Sequence, residues 1–435
     1  MANRVKYATE DFTVTNVAGY LYSNEFEGGD IDGSGLDLFY ESESIKRSSV
    51  SEELRVQSVP ASGRLLDWTG GLYYGHDYGH VNQYTYAGSV GAGLFGVPNG
   101  YELTSSLGDS SDYSEAVFGE VVWHAAPSLS LTLGARYTHE VVSNDGYNTS
   151  GTEVLNYVDG SASFNNFSPR FTAFYALDSQ TNLYGTVSRG FKAGGVEAQP
   201  VAEGGNQVYK PETLWNYELG VKSESADKRL RLDADVFLMN WKDIQADYSI
   251  GQVSSGGVSF ITGIANAASA RSYGFETEIT ALVVTGLTVG GGAGYDRAYY
   301  VSFPNAESGL GTTGDLSGAT LPNAPKWTLH ADSQYTHNFD AEQSGFLRLE
   351  WHYRGGIVSD QNSEFHTGFP WDVPSYNLWN LRAGYTHGNW TLTAFDENFL
   401  NKKYYTNAYE KAFVDGMFVE PGYRNMGIRL TVRTQ

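Results

Sequence analysis

The chain has 435 residues, 28 Lys and Arg against 50 Asp and Glu, and a net charge of −22. This acidic balance argues against nucleic acid as a partner, and zero Cys excludes a disulfide framework, a thiolate metal site and a cysteine nucleophile. No apolar run approaches the roughly eighteen residues of a spanning helix, which excludes a helical membrane protein but not a β-barrel.

The N-terminal ten residues contain Arg4, Lys6 and Glu10 and have no apolar core of a secretory signal. Along the rest of the chain, no shift in composition and no Pro- or Ser-rich linker marks a domain boundary. We therefore expect one domain, residues 1–435. The 31 Tyr and 51 Gly favour long strands with aromatic ends over a helical fold.

Apolar and polar residues alternate with a period of two in many segments, in chain order at about 129–138, 230–238, 273–281, 327–335 and 347–354. In the second segment, Leu232, Ala234 and Val236 alternate with Arg231 and Asp233. A helix would not keep apolar residues two apart over nine positions, so these segments predict strands. Most runs are long enough to cross a bilayer as tilted strands of roughly 9–11 residues.

Short and long connections alternate between the predicted strands. The long ones are expected at residues 24–48, 79–111, 141–165, 193–210, 248–258, 301–325, 359–374 and 404–421. This rhythm is typical of a transmembrane barrel with short periplasmic turns and long extracellular loops. It predicts an all-β, antiparallel barrel of about sixteen strands, with both termini on the short-turn side.

The charged face of each strand has a defined place in such a barrel. An Arg near the bilayer midplane costs roughly 2–4 kcal/mol, so Arg348 and Glu350 must face a wet or protein-filled lumen. A soluble sandwich would reverse the two faces. Long strands, the loop rhythm and aromatic residues at strand ends favour the barrel. These aromatic residues are Tyr137, Tyr295, Tyr353, Tyr385 and Trp390.

Several segments resemble the barrel of TonB-dependent outer-membrane receptors. They are residues 51–55 (SEELR), 167–171 (FSPRF), 182–195 (NLYGTVSRGFKAGG), 210–222 (KPETLWNYELGVK), 272–278 (SYGFETE) and 321–325 (LPNAP). Each motif is weak alone, but their order and spacing along nearly the whole chain make the resemblance specific.

The resemblance implies a barrel of roughly 22 strands, preceded by a plug domain and a short energy-coupling box. It also implies insertion in the lipid of the Gram-negative outer membrane, coupling to the TonB complex, and uptake of a scarce nutrient, foremost an iron–siderophore complex. The plug, the coupling box, the signal and about six leading strands of the family pattern are not in this sequence. We therefore expect the chain to be a fragment of such a receptor.

Charged residues at lumen-facing positions are expected to belong to the wall and to be able to face a plug. They are Arg136, Arg170, Glu218, Lys222, Glu276, Glu278, Arg348 and Glu350. Four aromatic residues in predicted long loops could touch a ligand, namely Tyr84, Tyr86, Trp371 and Tyr409. The nine scattered His and the order of Ser, His and Asp predict neither a metal site, a cofactor nor a catalytic site, so we expect no enzyme.

Other classes remain open at this stage. A passive 16-stranded porin fits the strand count alone. A soluble β-rich binding protein such as a lectin, or a degraded gene copy without activity, also fits parts of the pattern.

Overall fold

The computed structural model describes residues 2–31, 35–61, 63–150, 153–197, 208–254, 257–304, 306–307, 313–359, 372–411 and 414–433. Within these residues the fold is all-β, with 17 strands in a single sheet. The only helix described is a short one, α1 (Ser89–Phe95). The predicted fold class is therefore confirmed.

The 17 strands of the sheet are numbered here in chain order. They are β1 (Ala2–Ala8), β2 (Phe12–Asp30), β3 (Phe39–Ser58), β4 (Leu66–Ala87), β5 (Glu102–Ala126), β6 (Leu129–Ser150), β7 (Glu153–Ala176), β8 (Thr181–Lys192), β9 (Glu212–Glu224), β10 (Leu230–Ser254), β11 (Gly257–Val284), β12 (Leu287–Ser302), β13 (Trp327–Asn338), β14 (Gln343–Arg354), β15 (Tyr376–His387), β16 (Trp390–Glu397) and β17 (Asn425–Val432).

Four small hairpins lie in the long connections, outside the main sheet. They pair Gly195–Val196 with Val208–Tyr209, Ala306–Glu307 with Thr313–Gly314, Ile357–Val358 with Asp372–Val373, and Tyr404–Lys411 with Val414–Gly422.

Every strand of the sheet pairs antiparallel with the next one along the chain, so the sheet is a continuous meander. Such connections need only tight turns on one rim and loops on the other. The first and last strands, β1 and β17, do not pair with each other among the described residues, so the barrel wall is open there.

The strand count corrects one prediction about the termini. A tight turn at Thr9, whose N–H donates to the carbonyl of Phe12 over 2.9 Å, separates β1 from β2. The main sheet of the described residues therefore has 17 strands, an odd number close to the expected count of about sixteen. Because each strand reverses direction, the chain starts toward the long-loop rim and ends on the short-turn rim, and the prediction that both termini share a rim was wrong.

Several predicted long loops are also shorter than expected, because strands extend into them. β4 continues to Ala87, β5 begins at Glu102, and β6 and β7 pair as far as Ser150 and Glu153. These extensions carry polar residues on both faces, so they have no apolar alternation to mark them. Backbone hydrogen bonds to the neighbouring strand define them instead.

The two faces of the sheet differ in polarity and in exposure. Apolar side chains on one face are exposed: Val236 is 54% and Leu347 54% accessible. Charged side chains lie on the other face, where Glu350 is 7% and Glu212 4% accessible and the side chain of Lys222 is 56% accessible. A soluble protein has the opposite arrangement. We call the face of Glu350 and Glu212 the lumenal face, and the face of Val236 and Leu347 the outer face.

Aromatic side chains of neighbouring strands contact each other on the outer face. The rings of Tyr295 and Trp327 lie 4.9 Å apart, and the ring of Phe275 meets Trp327 edge to face at 5.9 Å. At the short turn after β15, the rings of Tyr385 and Trp390 are 5.8 Å apart. Aromatic rings at strand ends are typical of the interfacial girdles of membrane barrels. No helix in the described residues is both long and apolar enough to cross a membrane.

Candidate functional site

The strand register places all eight predicted wall residues on the lumenal face. Paired positions share a face of a sheet, and chains of such pairs connect Arg136 and Arg170 on β6 and β7 with the acids of β9 to β11 and with β14. Charged residues occur along most of the length of this face. Which of them form ion pairs decides which are available to contact a solute.

An ionic ladder crosses four strands of this face, from β13 to β16. Arg348 contacts Glu350 at 2.9 Å and Asp332 at 3.4 Å. Arg382 contacts Glu350 at 3.4 Å and Glu397 at 3.1 Å. The two guanidinium groups thus bridge three carboxylates. The side chain of Glu350 is 9% exposed and those of Arg348 and Arg382 are 34% and 37% exposed, so the ladder joins four strands through partly solvated ion pairs.

A second cluster joins β8, β9 and β10. The hydroxyl of Tyr184 donates to Glu218 at 2.7 Å. Asp233 is contacted by Arg231 at 2.8 Å and by Lys222 at 3.8 Å. The lysine ammonium also lies 5.9 Å from the centre of the Tyr184 ring. Glu218 and Lys222 therefore have partners in the wall itself.

Carboxylates face each other directly between β10 and β11. The register pairs Asp233 with Glu278 and Asp235 with Glu276. Like charges at paired positions destabilise a sheet unless a cation is near. Arg231 and Lys222 supply cations to the first pair, and His330 lies 3.2 Å from Glu278. Asp235 and Glu276 have no ion-pair partner in the part of the chain that the structure describes.

The strand next to these acids, β12, has glycine at three consecutive lumenal positions. These glycines, Gly290, Gly292 and Gly294, pair with Thr280, Glu278 and Glu276 of β11 respectively. A Cβ at Gly292 would lie 2.5 Å from His330 and 2.8 Å from the carbonyl of Thr277. The glycines therefore leave room for the acidic side chains, as predicted for a glycine run within a strand.

Arg136 is held differently from the other cations. Its guanidinium lies 4.9 Å from the ring centre of Tyr73 and 5.8 Å from that of Phe118, both on the lumenal face. Arg55 approaches the same phenyl ring at 6.0 Å. Such cation–π contacts stabilise a cation without neutralising it. Arg170, in contrast, has Glu120 at 3.9 Å.

Segments at the long-loop rim fold over the lumenal side. After β8, the buried Val196 accepts a hydrogen bond from Asn144 of β6, and the amide of Gln245 in β10 donates to the carbonyl of Ala193 at 2.5 Å. The buried carboxylate of Glu197 accepts a hydrogen bond from the backbone N–H of Ile264 in β11. This segment therefore connects β6 with β10 and β11 above the lumen.

The connection after β12 builds a small hydrophobic core on the same side. Phe303, Leu316 and Ala306 pack with Tyr300 and Ala270, and all five are less than 6% accessible. The backbone N–H of Leu316 donates to Phe303 at 2.9 Å. At the following turn, hydrogen bonding by the side chain and backbone of Ser317 lowers the pKa of Asp315 from its usual 3.8.

The connections after β14 and β16 meet next to this core. Ile357, Val373 and Ala408 form a buried apolar cluster. The backbone N–H of Asn323 donates to the carbonyl of Val358 at 2.8 Å, which joins the two regions. We call the described parts of residues 193–210, 303–323, 357–373 and 404–411 the collar. Sequence patterns did not predict the collar, because its contacts join apolar residues far apart in the chain.

The predicted loop aromatics lie in different places. Tyr84 and Tyr86 belong to β4 rather than to a loop, because the strand extends to Ala87, and the register places both on the outer face. Tyr86 stacks on Tyr40 with 5.0 Å between ring centres. Trp371 and the side chain of Tyr409 lie outside the described residues. Contact of these residues with a ligand stays a prediction.

The lumenal side thus combines a charged wall with a folded collar at the long-loop rim. In the described residues, no group of three or more His, Asp or Glu side chains is arranged to hold a metal ion. The charged wall can hydrogen-bond to water, to a polar solute or to a polar protein surface.

Comparison with known proteins gives one family. A family model described as "TonB dependent receptor-like, beta-barrel" matches residues 3–398. The pesticin receptor of Yersinia pestis is 24% identical over 278 residues, which is 63% of this chain and 36% of the receptor. The ferric-pyoverdine M114 receptor PbuA of Pseudomonas sp. (strain M114) is 23% identical over 297 residues, 66% of this chain and 32% of that receptor.

Solved structures show the same fold. The ferric yersiniabactin uptake receptor FyuA from Yersinia pestis superposes with a TM-score of 0.80 at 18% identity, over 98% of this chain and 60% of FyuA. The siderophore receptor PiuA from Acinetobacter baumannii gives 0.76 at 15% identity, over 99% of this chain and 63% of PiuA. The chain thus matches about a third of the length of its curated relatives.

Proposed function

Since the chain belongs to the TonB-dependent receptor-like β-barrel family, we propose that it is the barrel part of an outer-membrane receptor for uptake of a scarce nutrient, an iron–siderophore complex. The observation that carries this proposal is the family match over residues 3–398, together with relatives and structural neighbours that are themselves named siderophore or metal receptors.

The two faces of the sheet support the membrane part of the proposal. Exposed Val236 and Leu347 on the outer face suit hydrocarbon, and enclosed Glu350 and Glu212 suit a polar interior. The proposed location is the outer membrane of a Gram-negative bacterium, with the long-loop rim outward. A plug domain and the TonB complex are the proposed partners for energised transport.

The collar and the charged wall suit ligand capture followed by passage. The collar places structured backbone over the lumenal side, where a ligand arriving from outside meets the barrel first. The wall below it has charges that can contact a plug. The proposed activity is binding and transport, without covalent chemistry, so the protein is not proposed to be an enzyme.

A passive porin is the alternative, and it is not favoured. The matching family is one of receptor barrels, and the relatives are named receptors.

Binding of ferric siderophores to the purified chain in detergent tests the proposal. Quenching of the fluorescence of its 9 Trp is measured against a panel of ferric siderophores, with the iron-free forms as controls. We expect saturable quenching by at least one ferric complex at micromolar concentration. The absence of saturable binding across hydroxamate, catecholate and mixed types, together with stable single-channel conductance in planar bilayers, would overturn the proposal in favour of a porin.

A further inference from the structure

The connection between β4 and β5 carries the helix α1 at the long-loop rim of the sheet. Its buried side consists of small residues, since Gly91 and Ala92 are the buried residues of the helix. A Cβ at Gly91 would overlap the carbonyl oxygen of Leu38. The helix therefore sits directly on the backbone of the connection between β2 and β3.

Hydrogen bonds hold α1 in this position. The backbone N–H of Ser89 donates to the carboxylate of Asp37 at 2.7 Å, and the N–H of Val90 donates to the Asp37 carbonyl at 2.9 Å. At the other end, Gly96 has the left-handed conformation with φ of 67°, which glycine adopts without steric cost and which ends the helix. The side chains of α1 are therefore held in one orientation.

The large apolar side chains of α1 are exposed. Val90 and Leu94 lie one turn apart on the open side, and Leu94 is 71% accessible. Phe95 ends the helix next to Phe39, 5.8 Å between ring centres, and is still 55% accessible. A surface helix usually buries its large apolar residues and exposes its small or polar ones. The reversed arrangement of α1 is typical of a surface that a partner covers.

The segments that meet at α1 are acidic. The two longest stretches of the sequence without Lys or Arg are residues 7–45 and 65–135, and they contain α1 and the segment on which it sits. Within the first stretch, seven acids lie between Glu25 and Glu43. Glu102 starts β5 and pairs with Tyr86, close to the start of the helix. An apolar surface in these surroundings attracts a cationic partner and repels an anionic one.

We propose that α1 is a docking surface for a basic polypeptide, which covers Val90, Leu94 and Phe95 with apolar side chains and places Lys or Arg against the surrounding acids. This contact goes beyond nutrient uptake. It depends on the proposed function only through the outward placement of the long-loop rim.

Other occupants fit this surface less well. Small solutes bind mainly in concave sites, whereas a Cβ at Gly93 or Gly96, on either side of Leu94 and Phe95, would meet nothing within 4 Å among the described residues. A second copy docked through the same surface would bring two acidic regions together, and an anionic lipid surface would be repelled by the same acids. A basic polypeptide satisfies both the apolar and the acidic part.

Binding of designed peptides to the full chain in phosphatidylcholine nanodiscs tests the proposal. The probe is an amphipathic helical peptide of Leu and Lys, and the matched probe has Glu in place of every Lys. Fluorescence anisotropy of each labelled peptide is measured, with empty nanodiscs as the blank. We expect saturable binding of the Leu–Lys peptide and roughly tenfold weaker binding of the Leu–Glu peptide, because the latter brings like charges together.

A double variant tests the apolar part of the surface. Leu94→Ser/Phe95→Ser should weaken binding of the Leu–Lys peptide roughly tenfold, the equivalent of about 1.4 kcal/mol. The matched control is Val154→Ser/Tyr157→Ser, which removes two exposed apolar side chains of β7 and should bind like the wild type. A heat-dependent gel shift verifies that every variant is folded.

A charge variant tests the acidic part separately. Glu102→Gln should weaken binding of the Leu–Lys peptide about threefold at low salt, and salt of about 0.5 M should remove this difference by screening. Glu342→Gln, in a short turn far along the chain, should bind like the wild type. Equal binding by these two variants would contradict the acidic part of the proposal.

Four further results would overturn the proposal. They are equal binding of the Leu–Lys and Leu–Glu peptides, equal binding by the α1 variant and its control, equal uptake of the peptide by empty nanodiscs, and dimers that depend on Leu94 and Phe95 without peptide. Ferric siderophore binding is measured on the same variants. Loss of peptide binding with siderophore binding retained concerns α1 alone, whereas absent siderophore binding in the wild type concerns the proposed function.

Discussion

Glu350 and Arg348, two residues apart on β14, form a 2.9 Å ion pair on the enclosed lumenal face. Glu350 is only 7% accessible and also contacts Arg382 at 3.4 Å. Both guanidinium groups therefore share this carboxylate, and each has a second acid, Asp332 for Arg348 and Glu397 for Arg382. Glu350 contacts one arginine on its own strand and one on β15. It is therefore the central carboxylate of the ionic ladder.

Glu350→Gln should lower the free energy of unfolding by about 1 to 2 kcal/mol, because it removes the buried carboxylate that two partly exposed guanidinium groups share. The measurement is denaturant unfolding of the chain in lipid vesicles, followed by tryptophan fluorescence. Glu342→Gln, an exposed carboxylate in the turn before β14, is the matched control and should be neutral. Equal stability of the two variants would mean that the ladder contributes nothing.

The opposite orientation of adjacent residues can be tested by cysteine labelling, since the chain has no native Cys. Gln334 lies on the lumenal face of β13, and Tyr335, which is 49% accessible, lies on the outer face. In vesicles, Gln334→Cys should react with a charged maleimide, and Tyr335→Cys should react only with an apolar one. A bimane label at position 335 should be quenched by brominated lipid. The reverse pattern would mean a soluble protein with a dry centre.

Gly274 has a steric role in the pairing of β11 with β12. A Cβ at this position would overlap the carbonyl oxygen of Tyr295, a backbone atom that cannot move without breaking the register. Gly274→Ala should therefore destabilise the barrel by about 1–3 kcal/mol through overpacking. Gly190→Ala is the control, because a Cβ there meets nothing within 4 Å. A folded fraction of Gly274→Ala equal to that of the control after refolding would contradict this role.

The small core of the collar should be a separate unit of stability. Leu316 is 3% accessible within this core, and Leu316→Ala should cost roughly 2–5 kcal/mol of local stability. Hydrogen exchange of the amides of residues 313–321 should become faster, with the strands below unchanged. Val301→Ala, at a neighbouring position that is 45% accessible, should leave exchange as in the wild type. Faster exchange throughout the sheet would mean that the collar is not independent.

The faces of the strands could be predicted from the sequence, because parity follows from the two-residue period. Arg231 and Val236 lie on the faces expected of them, and the eight wall residues share the lumenal face. The extent of the strands was less predictable. Between Ser143 and Gly146 on β6, the side chains are polar or absent on both faces, and only backbone pairing to β7 reveals strand structure.

The candidate site was less predictable than the wall. The partners of Glu350 on β15 and of Asp233 on β9 depend on register between strands, which a single sequence does not specify. The collar could not be predicted, because Phe303 and Leu316 reach the strand residues only after the connection between β12 and β13 has folded back on the sheet. Tyr84 and Tyr86 show the converse error, since aromatic residues in a polar stretch were assigned to a loop and belong to β4.

The odd number of strands has a practical consequence. A tag fused before β1 and a tag fused after β17 would be presented to opposite compartments of a sealed vesicle. A protease added from outside would remove one tag and spare the other, which reports the orientation of every inserted molecule in a single digest.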